Sequence, residues 1–193
     1  MAVTNDTILA QRMSDLRSHG ITKDSTRFIL PTKGPWSYEQ QSLGFNYRMN
    51  DIQAALGLSQ LSRLDSIVQE RNRLLDCYRS LLKDFPLRFL DIPSGVVSSV
   101  HLGIIRLLEN DPKLHLELFC RFRKNGIGVQ LHYSPIHLQP YYLNLGFNEG
   151  QFPESEAYAS SALSLPLYPG ISSLDLDRVF DVFASHYSGG SAR

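Results

Sequence analysis

The chain has 193 residues, 42% hydrophobic and 20% charged, a composition ordinary for a soluble globular protein that buries roughly 70% of its unfolded surface. Nineteen Lys plus Arg balance nineteen Asp plus Glu, which argues against a strong electrostatic pull toward nucleic acid or an anionic membrane. No apolar run reaches ~18 residues, so no membrane span is expected.

The N-terminal MAVTNDTILAQRM lacks the basic start and long apolar core of a signal peptide. The expected location is the cytoplasm, with Cys77 and Cys120 as buried, reduced thiols. Ala2 to Thr4 reads as the end of a strand. Asn5 or Asp6 then caps a helix through about Ser18, with Ile8, Leu9, Met13 and Leu16 as one stripe and Gly20 as the stop. Residues 21–49 are irregular and aromatic, with Trp36, Tyr38, Phe45 and Tyr47. A loop of this length is expected to pack on a partner surface. Asn50 caps a nearly uncharged helix to about Gln60 that is expected to bury Ile52, Ala55, Leu56 and Leu58.

A longer helix follows from about Leu64 to Lys83, and it carries the strongest amphipathic pattern in the chain. Arg71 stands in its apolar stripe. After Pro86 the period changes. Residues 87–90, 98–107 and 128–133 read as strands. Asp111 and Pro112 open a helix that Gly126 ends. Residues 154–163 and 173–187 read as helices. This second half is a small α+β domain with an antiparallel or mixed sheet. The terminal SGGSAR is expected to fray.

Three groups of residues invite chemistry. Asn46-Tyr47-Arg48 offers amide donors and a planar guanidinium before a helix N-terminus. That pattern suits a phosphate, or simply a turn-shaping Asn and an Arg paired to a carboxylate. His101, on a predicted strand, reads either as a satisfied core histidine or as a ligand contact. HYSPIHLQPYY places His132, Tyr133 and His137 where a strand ends. The alternatives there are packing and a small-molecule site. A metal site lacks further converging ligands. There is no Gly-rich phosphate loop, GxSxG, HExxH or CxxC. None of Lys23, Lys33, Lys83, Lys113 and Lys124 sits in an apolar setting that would depress its pKa. No catalytic side chain and no metal ligand is assigned.

The segment GFNYRMNDIQAALGLSQLSRLD, residues 44–65, resembles the most recognisable motif of the DegT/DnrJ/EryC1/StrS sugar aminotransferases. VTNDTILAQRMSDLRSHGI, SSVHLGIIRL, GVQLHYSPIHLQPYY and FPESEAYASSALSLPLYPGIS resemble further family segments, so the likeness covers nearly the whole chain. The HYSPIHLQPYY form resembles enzymes that aminate UDP-linked 4-keto sugars of the pseudaminic acid type. The resemblance implies an α/β fold of the PLP-dependent transferase, aspartate aminotransferase-like type I class. It implies pyridoxal phosphate as cofactor, not bound stably by this chain alone, and a nucleotide sugar and an amino-acid donor as substrates. A homo-oligomer, a dimer, is expected. Asn46 would reach the cofactor phosphate of another subunit with Arg48 at the same mouth. His101, His132, Tyr133 and His137 would lie near the nucleotide sugar.

The resemblance also implies a division into a remnant of the large cofactor-binding domain (1–49), connecting helices (50–83) and a C-terminal small α+β domain (84–193). The family's Schiff-base lysine, ring-nitrogen aspartate and stacking aromatic would all lie before Met1. The chain is then expected to be the C-terminal portion of an aminotransferase, inactive alone. The alternative is a non-catalytic nucleotide-sugar-binding or oligomerisation module that complements a separate N-terminal half.

Overall fold

The computed structural model describes residues 2–188. The chain forms two compact units, Met1–Ser62 and Arg63–Arg193, and each follows from its own sequence.

In the first unit Asp6 caps α1 (Thr7–Arg17), its carboxylate accepting from the N–H groups of Ile8 and Leu9. Such a cap satisfies helix donors that have no partner within the helix. Residues 2–4, expected as a strand end, form none. His19 and Gly20, both at positive φ, turn the chain out of the helix into β1 (Ile21–Thr22). A 3-10 turn follows at Ser25–Arg27. β1 then pairs antiparallel with β2 (Glu39–Gln40). The loop between them is tied by the Glu39 carboxylate, which accepts from the N–H groups of Ile29 and Leu30 at 2.8 and 2.7 Å. The Arg27 guanidinium pairs with Asp15.

α2 (Asp51–Leu61) starts with a capping box. The Asn50 side chain accepts from Gln53 N–H, and the Gln53 side chain accepts from Asn50 N–H. The expected burial of its apolar face is not met. Ile52, Leu56 and Leu58 are 82%, 62% and 69% exposed, and Ala55 is exposed too. Among its described residues the first unit buries Gly20 and Thr22 alone. It therefore holds no apolar layer against which the helix could pack. Trp36, Tyr38, Phe45 and Tyr47 are likewise exposed.

The second unit has a true core. α3 (Leu64–Leu81) buries Leu74, Leu75 and Tyr78. β3 (Leu87–Phe89) and β4 (Gly103–Leu107) pair antiparallel, with Arg88 opposite Arg106. Residues 98–102, expected as part of β4, stay outside it. Asp111 caps α4 (Pro112–Lys124), whose Cys120 is exposed while Cys77 on α3 is half-buried, so neither thiol is buried as expected. Gly126, at positive φ, turns the chain after it. A 3-10 turn at Ile136–Leu138, α5 (Pro140–Leu143) and α6 (Pro153–Ala159) follow.

The third strand of the sheet is β5 (Ala162–Leu165), paired antiparallel with β4. It takes the last two residues of the helix expected at 154–163, which ends at Ala159. The strand expected at 128–133 shrinks to one antiparallel bridge, Gln130 to Ser164. The next bonded pair of an antiparallel ladder would join His132 to Ala162, but the Ala162 carbonyl lies 2.8 Å from the His115 ring nitrogen instead. α7 (Ser173–Ser188) closes the unit; residues 189–193 of the tail expected to fray lie outside the described residues.

One apolar cluster joins Leu74, Tyr78 and Leu82 to the sheet residues Ile105, Leu107, Leu163 and Leu165, and to the facing stripes of α4 and α7. Phe122 and Phe183 meet edge-on, ring centroids 5.1 Å apart. Tyr78 is fully buried, and its hydroxyl donates to the Pro166 carbonyl at 2.9 Å. That bond satisfies the single polar atom of a large core side chain. Burial pushes the Tyr78 phenol well above its ordinary range. Among the described residues no helix is long and apolar enough to cross a membrane.

Candidate functional site

Asn46 and Arg48 stand on a clasp between α1 and the loop before α2. Phe45 N–H donates to the Leu16 carbonyl at 2.6 Å, His19 N–H to Phe45 at 2.9 Å, and Tyr47 N–H to Arg17 at 3.0 Å. Two glycines make this approach possible. A Cβ on Gly44 would lie 2.3 Å from the Gly20 nitrogen, and one on Gly20 would lie 2.0 Å from the Ser42 carbonyl oxygen. Phe45 and Tyr47 stack at 4.8 Å. In the extended backbone between them alternate side chains take opposite sides, so Asn46 and Arg48 share the other side. Arg48 Nε donates to Asn46 Oδ1 at 3.2 Å. That bond leaves the Asn46 amide hydrogens and the outer Arg48 nitrogens as donors. The N-terminus of α2 adds less than its position suggests, because its own capping box already occupies it.

The second unit carries the other candidates, and it does not group them as one set. His132 and Tyr133 belong together, their rings edge-to-face at 4.7 Å. His132 Nδ1 lies 2.8 Å from the Ser164 hydroxyl on β5. Tyr133 is exposed. His137 is buried, and its Nε2 lies 2.7 Å from a Glu156 oxygen on α6. The same carboxylate accepts from Gly150 N–H at 2.8 Å, and the Phe152 ring packs against the imidazole. His137 therefore ties three segments together.

The His137 hydrogen bond is the main cause that holds the Glu156 carboxyl below its ordinary value of 4.5. A lowered folded-state pKa means that the carboxylate's contribution is complete above the unfolded value. It is lost as pH falls through the folded one. We expect the Gly150 amide, corrected for intrinsic exchange, to lose hydrogen-exchange protection as pH drops below about 4.5. In Glu156→Gln that pH dependence should vanish. Protection in the wild type that does not change with acid would refute the assignment.

His101 is neither on a strand nor in the core. It is exposed in the loop before β4 and lines an open cavity of about 320 Å³ with Asp91, Ser98 and Leu102. Arg71 from α3 holds this loop, one nitrogen donating to the carbonyls of Val100 and His101 at 3.1 and 2.9 Å. Val100 has φ of 41°, a costly conformation for a β-branched residue. Its N–H also donates to the Ser98 hydroxyl. The sequence signal for this anchor was an arginine inside an otherwise apolar stripe. Ser164 and Glu156 carried no comparable signal, because each acts through a side chain distant in sequence.

The family model of the DegT/DnrJ/EryC1/StrS aminotransferases matches residues 1–184. The chain belongs to that family. It is 34% identical over 188 residues to the spore coat polysaccharide biosynthesis protein SpsC of Bacillus subtilis, a match covering 94% of this chain and 47% of SpsC. Among solved structures it is similar to PseC of Helicobacter pylori, an aminotransferase involved in the biosynthesis of pseudoaminic acid. The identity is 29%, the TM-score 0.82, and the coverage 97% of this chain and 48% of PseC. It is also similar to the sugar aminotransferase Spr1654 of Streptococcus pneumoniae in its PMP form, at 29% identity and a TM-score of 0.85, covering 98% of this chain and 47% of that one. The chain spans about half the length of the curated relatives it matches.

Membership brings the α/β fold of the PLP-dependent transferases and pyridoxal phosphate as the family cofactor. The residues present fit part of that group. Asn46 and Arg48 supply exposed hydrogen-bond donors and a positive charge, the chemistry a phosphate needs. The five lysines are all exposed, so none occupies a pocket that would activate it.

Proposed function

We propose that this chain serves as the C-terminal portion of a pyridoxal-phosphate-dependent aminotransferase that aminates a nucleotide-linked keto-sugar, taking the amino group from an amino-acid donor. The product would enter surface polysaccharide or glycan synthesis, in the cytoplasm. Family membership supports the reaction class, and the roles of SpsC in spore coat polysaccharide biosynthesis and of PseC in pseudoaminic acid biosynthesis support the sugar. Residues 1–49 would belong to the large cofactor-binding domain, 50–83 to the connecting helices and 84–193 to the small domain.

The observation that carries the reading is the clasped Asn46–Arg48 pair. We assign it to the cofactor phosphate held by another subunit of a homodimer. The cofactor, when bound, supplies the electron-withdrawing ring that amino transfer requires. The chain's own part is to hold the phosphate through Asn46 and Arg48, and to face the sugar with His101, His132 and Tyr133. His137, the remaining candidate, would support that surface from beneath. The uncovered Ile52, Leu56 and Leu58 suit a protein surface, and we assign them to assembly.

The exposed lysines support a chain that does not catalyse alone. Borohydride treatment of the purified chain with pyridoxal phosphate should leave every lysine unmodified, while titration with excess cofactor should shift the Asn46 side-chain amide and Arg48 Nε–H signals. Sedimentation of the same sample should show a dimer or larger species. A reduced adduct on any of the five lysines would overturn the claim of incompetence. An unmoved Asn46 would overturn the phosphate assignment, and a monomer would overturn the assembly assignment.

A further inference from the structure

We infer that Ser164 is a positioning residue that places the proton of His132 on Nε2, so that the imidazole presents an N–H donor to an acceptor oxygen of the bound ligand. The inference rests on the proposed nucleotide-sugar reading only for the identity of that ligand.

The geometry is local and closed. Ser164 is 5% exposed. Its backbone exchanges both hydrogen bonds with Gln130, at 2.8 and 3.4 Å, which sets the start of the His132 segment against β5. Its hydroxyl lies 2.8 Å from His132 Nδ1. Among the described residues that nitrogen is the hydroxyl's one hydrogen-bond partner.

A serine hydroxyl has one hydrogen to give and two lone pairs to fill. A buried donor without a partner is costly, and a spare lone pair is the more tolerable loss. The hydroxyl therefore donates to Nδ1, and a neutral imidazole that accepts at Nδ1 carries its proton on Nε2. The edge-to-face contact with Tyr133, interplanar angle 85°, fixes the ring's tilt as well. His132 is partly exposed, so Nε2–H has access to a ligand. His137, five residues on, has the opposite arrangement: it is buried and its Nε2 is engaged by Glu156. The two histidines of one short segment thus divide the work, His137 anchoring it and His132 presenting a donor. A phosphate oxygen and a sugar hydroxyl share the acceptor chemistry that this donor fits.

The test uses the whole chain with ¹⁵N-labelled histidine, at a pH where His132 is neutral, with His132→Gln to assign the signals. Two-bond nitrogen–proton correlation should show a protonated Nε2 and an unprotonated Nδ1. In Ser164→Ala both nitrogens should move toward the tautomer average, and Ser164→Thr should restore the wild-type pattern with unchanged global melting. Titration with UDP and with a UDP-sugar separates the two acceptor sources. A response to both marks phosphate, and a response to the sugar nucleotide alone marks the sugar. Affinity should fall by roughly 3–10-fold in Ser164→Ala.

A wild type with its proton on Nδ1, or a tautomer that ignores Ser164→Ala, would overturn the inference, and the wild-type spectrum alone decides this even if the variant misfolds. The Nε2–H form with no response to either nucleotide would uphold the role of Ser164 and overturn the substrate reading of the site.

Discussion

Phe183→Ala should lower the stability of the second unit by about 3–5 kcal/mol. Phe183 is fully buried, packs edge-on against Phe122 at 5.1 Å and lies 5.5 Å from Phe85. Its removal takes away a large apolar side chain and opens a hole at the contact of α4 with α7. The neighbours cannot close that hole cheaply, because helices and sheet are both anchored elsewhere in the same cluster. Denaturant unfolding should show a lower midpoint with an unchanged slope, since the surface exposed on unfolding is nearly the same. Phe183→Leu keeps most of the volume and should cost less than about 2 kcal/mol. A loss under about 1 kcal/mol for the alanine variant would mean that the α4–α7 contact is not part of the core's framework.

Gly44→Ala should dismantle the clasp that carries Asn46 and Arg48. The added methyl would run into the His19–Gly20 backbone: 2.3 Å from the Gly20 nitrogen, 2.5 Å from the His19 carbonyl carbon and 2.9 Å from the His19 Cα. Backbone cannot swing aside as a side chain can. The segment must lift, and the three main-chain bonds made by Phe45, His19 and Tyr47 open together. Overpacking of this kind costs about 1–3 kcal/mol, and each lost hydrogen bond adds roughly 1 kcal/mol. A unit with so little buried surface has no reserve to absorb that. Hydrogen exchange at the Phe45 and Tyr47 amides should rise to the unprotected rate. The Asn46 response to pyridoxal phosphate should disappear, while melting of the second unit stays unchanged. Retained protection at both amides would show that the loop tolerates a Cβ and that the close approach is not what positions Asn46.

Both variants act where local sequence and tertiary structure meet. The helix starts at Asp6, Asn50 and Asp111 were legible because capping is a short-range interaction between a side chain and the next turn. The stops at Gly20 and Gly126 were legible because both glycines take positive φ. The α3 stripe led directly to Leu74, Leu75 and Tyr78, since burial on one face imposes the 3.6-residue period. β5 was missed for the converse reason. All four of its residues are buried, so no polar-out alternation marks it, and a short apolar run reads equally well as helix. The strand expected at 128–133 stopped after one bridge, where the next carbonyl on β5 that a ladder would use, that of Ala162, is engaged by the His115 side chain. Local pattern cannot weigh that competition.

By itself the sequence determined the caps, the amphipathic helices, the polar Asn46–Arg48 pair ahead of α2 and the family resemblance. All of these rest on interactions within a few residues or on the order of residue types. Only the tertiary structure decided the surroundings of the histidines. It placed His101 in an exposed loop held by Arg71, buried His137 against Glu156 and set His132 on Ser164. It also left the apolar face of α2 uncovered. A side chain's chemistry depends on whether its polar atoms are spent on partners or left free, and those partners stand 19 to 32 residues away in sequence, where only the folded chain brings them together.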